Sequence, residues 1–61
     1  MTEFELIVFA KKETGIIKIQ GGFELFYGKK TNRYFIKEYN RIIFINKSAH
    51  LTAKKWNELV N

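Results

Sequence analysis

Residues 16–47 read IIKIQGGFELFYGKKTNRYFIKEYNRIIFINK, a run of short β-branched and aromatic stretches punctuated by turn-forming residues. Ile16–Gln20 reads as one strand, and Gly21-Gly22 marks a place where the backbone reverses or bulges at little steric cost. Phe23 opens the next strand, which meets a polar turn at Gly28-Lys29-Lys30-Thr31-Asn32, rich in residues that tolerate positive φ. Two further strands follow, with Asn40 in the turn or bulge between them. The expected strands therefore cover about 15–20, 23–28, 33–39 and 41–47, the first two of which also read as one bent strand.

Outside this stretch, Phe4–Ala10 is β-branched and aromatic with polar neighbours, which predicts another strand over 4–11 and a turn at Lys11-Lys12-Glu13-Thr14-Gly15. Toward the other end the period changes: Trp56, Leu59 and Val60 stand at the spacing of one helix face, predicting a helix over 53–60. Thr52 reads as its N-cap, with Leu51 and Trp56 as a hydrophobic staple and Lys54 and Lys55 in the first turn, opposing the helix dipole. The expected fold is α+β: an antiparallel β-meander of four to five strands followed by one short C-terminal helix, in a single domain over 1–61.

The chain has 61 residues and no cysteine, so neither a disulfide nor a Cys-based zinc site supplements a small core. With 46% hydrophobic residues it is too apolar to be disordered. A helix of about nine residues is roughly 14 Å long and cannot cover four or five strands. Ile16–Ile19 and Ile42–Ile45 are apolar on both faces, as Phe4–Phe9 would be in a strand, so a homodimer is expected to cover the remainder. No apolar run approaches the ~20 residues of a membrane span and no basic secretory start is present, which points to a cytoplasmic protein without membrane contact.

Catalytic chemistry finds little support. His50 is the only histidine, with no cysteine or suitably spaced carboxylate as metal co-ligand. The carboxylates Glu3, Glu5, Glu13, Glu24, Glu38 and Glu58 are scattered, and the glycines fit no phosphate-binding loop. The expectation is a protein that is not an enzyme and takes no metal or cofactor. What stands out is charge and its placement: eleven Lys and Arg against six Glu leave a net charge of +5. By period two, Arg33, Phe35, Lys37 and Tyr39 share one strand face, alternating charge and ring. Such a face suits single-stranded nucleic acid, with cations meeting phosphates while bases stack on rings at about 1–3 kcal/mol each. Lys29, Lys30 and Lys47 extend the positive track. The same composition also suits a small phage or mobile-element protein that inhibits or redirects a host protein through exposed apolar surface and open sheet edges.

The segment Lys47-Ser48-Ala49-His50-Leu51-Thr52-Ala53-Lys54-Lys55-Trp56-Asn57-Glu58-Leu59 resembles the last strand and helix entry of the positive-cofactor-four family of transcription coactivators. Phe26-Tyr27-Gly28-Lys29 is similar to that family's aromatic and basic hairpin, and Ile36-Lys37-Glu38-Tyr39 to its Ile-Arg-Glu-Tyr strand. Together these motifs span about half the chain, in the family's order. The resemblance implies a dimer that binds single-stranded DNA with little sequence preference, in transcription or replication. Phe26 would stack on a base, and Lys29 and Lys37 would contact phosphate.

Overall fold

The computed structural model describes the chain except for residues 11–14 and the side chain of Phe9. The expected Lys11–Thr14 turn therefore lies outside the described residues. Along the chain run α1 (Glu3–Ala10), β1 (Ile16–Gln20), β2 (Phe23–Gly28), β3 (Arg33–Glu38), β4 (Arg41–Asn46) and α2 (Ala49–Val60). The strands form one antiparallel meander in the order β1-β2-β3-β4. Four strands and a C-terminal helix are as expected, and β1 and β2 are separate strands.

The expected strand over 4–11 is a helix instead. Its entry carries a capping box: the Glu5 N–H donates to Thr2 Oγ1 at 3.2 Å, and the Thr2 N–H donates to Glu5 Oε1 at 3.0 Å. The Thr2 N–H, and after it the Thr2 hydroxyl, which also donates to Oε1 at 3.1 Å, hold the Glu5 carboxyl below its ordinary pKa. As a strand, Phe4 to Phe9 would have been apolar on both faces. As a helix, the segment turns Leu6 and Ala10, four residues apart, into the core.

Two tight turns set the register. Gly21 and Gly22, at φ 57° and 84°, join the paired residues Gln20 and Phe23. Tyr39 and Asn40, at φ 46° and 70°, join Glu38 and Arg41. Two consecutive left-handed residues are the signature of the type I′ hairpin, whose twist matches that of the strands. In the turn between β2 and β3, the N–H groups of Thr31 and Asn32 donate to the Gly28 carbonyl at 3.2 and 2.8 Å.

The helix α2 begins four residues earlier than expected. Ser48 is its N-cap, with Oγ accepting from the Leu51 N–H at 3.1 Å. Thr52 is buried inside the helix, where its hydroxyl donates to the Ser48 carbonyl at 2.7 Å. Leu51 and Trp56 therefore do not form the expected staple, and Lys54 and Lys55 sit in mid-helix. The extra turn adds helical hydrogen bonds and leaves Thr52, Ala53 and Trp56 facing inward.

The core lies between one face of the sheet and the two helices. Leu25, Tyr34 and Ile36 come from the strands, Leu6 and Ala10 from α1, and Ala53 and Trp56 from α2. Burial pushes the Tyr34 hydroxyl above its ordinary pKa. The helix layer is pinned by Asn57, which donates to the Met1 carbonyl at 2.9 Å and accepts from the Met1 nitrogen at 3.0 Å. No described helix is long and apolar enough to cross a membrane.

Candidate nucleic-acid interface

Strand β3 alternates across the sheet: Tyr34 and Ile36 point into the core, so Arg33, Phe35 and Lys37 point to the face that neither helix covers. Pairing carries the assignment to the neighbouring strands. Gly28, Phe26 and Glu24 stand opposite Arg33, Phe35 and Lys37, and Ile16 and Ile19 stand opposite Phe26 and Glu24. On the other side, Ile45 and Ile42 pair with Phe35 and Lys37, with Ile43 as the extra residue where the register shifts.

The face thus has rows running across the strands. One row is wholly apolar: Ile16, Phe26, Phe35 and Ile45. The next has charges at its centre and isoleucine at both ends: Ile19, Glu24, Lys37 and Ile42. Ile16, Ile19, Ile42 and Ile45 are about half exposed or more. Apolar side chains gathered on one open face are the kind of surface on which partners bind.

Within the aromatic row, the rings of Phe26 and Phe35 stack at 4.9 Å with an interplanar angle of 8°. The Lys37 ammonium sits 5.0 Å from the centre of the Phe26 ring, a cation–π contact. The other flank of Phe35 lies against Gly28, where a Cβ would come within 2.8 Å of the ring. Each ring therefore has two close neighbours on this face of the sheet. Lys37, on a flexible four-carbon stem, is the movable neighbour.

Lys29 and Lys30 are exposed in the β2–β3 turn, and exposed Arg33 and Lys47 lie where β3 begins and β4 ends, at the same end of the sheet. These residues make that end basic. The expected sharing of one strand face by Arg33, Phe35, Lys37 and Tyr39 holds for the first three. Tyr39 departs from it, because β3 ends at Glu38 and the left-handed turn swings its ring across onto Gly22. A Cβ at Gly22 would lie 2.6 Å from the Tyr39 ring, so only glycine permits this approach. Tyr39 remains 79% exposed, the most accessible large apolar side chain among the described residues. A left-handed φ on a bulky residue costs on the order of 1–3 kcal/mol and is found where the surroundings hold it.

Beside Tyr39 is an open cavity of about 310 Å³ lined by Ile19, Gly22, Phe23, Glu24, Lys37, Tyr39 and Asn40. Glu24 and Lys37 face each other across β2 and β3, yet no ion pair forms between them, because the Lys37 ammonium leans over Phe26. Sequence reasoning missed Glu24 and Asn40 as site residues. The period-two pattern of β2 places Glu24 beside Phe26, but its position opposite Lys37 follows only from the pairing.

Elsewhere, His50 Nδ1 approaches Glu3 Oε2 at 3.9 Å on the exposed surface, a contact of little energetic weight. Among the described residues no three histidine or acidic side chains gather as a metal site. Ala49-His50-Leu51-Thr52, within the segment that resembles the last strand and helix entry of the coactivator family, are the first turn of α2. No family model matches the chain, and neither a curated protein nor a solved structure is found to match it.

Proposed function

We propose that this chain is a non-enzymatic binder of single-stranded DNA that uses the uncovered sheet face, as its resemblance to the positive-cofactor-four coactivators implies. The observation that carries the reading is that Arg33, Phe26, Phe35 and Lys37 share that face, Arg33 exposed and the other three half-buried, beside the basic end formed by Lys29, Lys30 and Lys47. Phosphates are captured by the cations. Bases then stack where Lys37 leaves Phe26, while the flanking isoleucines supply apolar contact. A net charge of +5 supports this capture.

The functional unit in this reading is a homodimer. On the helix side of the molecule, Phe4, Ile7 and Val8 form an exposed stripe on α1, with Phe4 74% exposed. Pairing through this stripe leaves the sheet face open for DNA.

Titration of labelled oligodeoxythymidine at low and high salt tests the proposal. Binding at low salt should weaken steeply as salt rises, and joint replacement of Lys29, Arg33 and Lys37 by Ala should remove most of the affinity. No binding at low salt, or unchanged affinity in the triple variant, refutes it. The second reading, an inhibitory or redirecting contact with a host protein, is favoured by the apolar ends of the rows, Ile16 and Ile45, Ile19 and Ile42. It gains if the oligonucleotide does not bind and one stoichiometric partner copurifies from nuclease-treated lysate.

A further inference from the structure

We infer that the cavity between the two type I′ turns is a guanine-binding pocket, which gives the proposed DNA-binding face a base preference at one position. The inference rests on the single-stranded DNA reading and adds to it a site with its own recognition chemistry. Tyr39 supplies the stacking surface. The hydroxyl end of its ring lies close over Gly22, and the residue is 79% exposed, unlike the half-buried Phe26 and Phe35, whose rings stack on each other. Its left-handed backbone, at φ 46°, holds that ring at the cavity mouth in a turn position where asparagine or glycine is ordinarily preferred.

The polar lining selects the base. Glu24 and Lys37 stand opposite each other in the register and both line the cavity, with no ion pair between them. An ionised carboxylate is an acceptor only, and an ammonium a donor only. Guanine presents N1–H and N2–H2 side by side, which a carboxylate can accept bidentately, with O6 next to them as an acceptor for the ammonium. Thymine offers one N–H between two carbonyl oxygens, and adenine and cytosine each offer one amino group beside a ring acceptor that a carboxylate repels. Guanine alone matches the Glu24–Lys37 pair, and Asn40 at the rim adds an amide able to bond to sugar or phosphate. The cavity, about 310 Å³, falls at the small end of ligand sites, as one base requires.

The test compares labelled oligodeoxythymidine with the same oligonucleotide carrying one central deoxyguanosine, by equilibrium anisotropy on the full chain. The guanine should tighten binding about ten-fold, the usual size of a good bidentate contact. Deoxyinosine, which lacks the 2-amino group, should recover only part of that gain, whereas 7-deazaguanine, which keeps the edge, should recover all of it. Glu24→Gln should bring the guanine-to-thymine affinity ratio close to one, and Tyr39→Asn should lower the affinity for the guanine oligonucleotide while the chain stays folded by circular dichroism. Equal affinity for the two oligonucleotides in the unaltered protein, or a preserved ratio in Glu24→Gln, overturns the pocket and leaves the binding face standing. Failure of every oligonucleotide to bind overturns both.

Discussion

Tyr39 occupies a position whose backbone suits asparagine or glycine, and its side chain gains little by burial because the residue stays 79% exposed. Replacing it by asparagine should therefore stabilise the fold, by about 1 kcal/mol if the strain is released. The same change should weaken binding to DNA. Urea denaturation beside an oligonucleotide titration checks the opposed signs, and a loss of stability in Tyr39→Asn would show that the ring's contact with Gly22 outweighs the strain. At this level the reading of the residues succeeded where period two is a local property, as for Arg33, Phe35 and Lys37. It failed for Tyr39, because nothing local says that a strand stops one residue earlier than its aromatic pattern. That boundary is set by the register of Glu38 with Arg41.

Among the elements, α1 and α2 show how capping competes with composition. Phe4 to Phe9 has the β-branched and aromatic content of a strand, yet Thr2 and Glu5 form a capping box and the segment is helical. Thr-x-x-Glu before an apolar run was present in the residues and points to the helix. Thr2→Ala should cost about 1 kcal/mol of stability, measured by thermal or urea unfolding. The Glu5 carboxyl is held below its ordinary pKa of 4.5, chiefly by the Thr2 backbone bond and then by the Thr2 hydroxyl. A depressed folded pKa adds stability that is present above the unfolded value and lost as pH falls through the folded one. Thr2→Ala keeps the backbone N–H bond and removes only the hydroxyl bond to the carboxyl, so its penalty should shrink below pH 4.5 by the hydroxyl's share, and a penalty that is constant with pH would remove the Thr2 hydroxyl from the shift. In α2, Ser48 and Thr52 are both capping residues by type, serine the somewhat better of the two. The choice fell to Ser48 because starting there adds a helical turn and places Thr52 in the core with its hydroxyl satisfied.

For the molecule as a whole, the excess of apolar residues anticipated from composition is divided between two surfaces: the Ile- and Phe-lined sheet face, and the Phe4, Ile7 and Val8 stripe on α1. If the stripe mediates dimerisation, Phe4→Ser together with Ile7→Ser should yield a monomer in sedimentation velocity while the sheet face still binds oligodeoxythymidine. A dimer that survives the pair of substitutions would shift the contact to another surface. The meander, the turns at Gly21-Gly22 and Gly28–Asn32, and the existence of the final helix were legible along the chain, because strand alternation, turn chemistry and helix period act between near neighbours. Which face stays uncovered, the confrontation of Glu24 with Lys37, the stacking of Phe26 on Phe35 and the passage of Tyr39 over Gly22 depend on residues brought together across strands. Those were settled by register and by where two short helices find room to pack, since a period of two fixes which residues share a side but not which side meets the core.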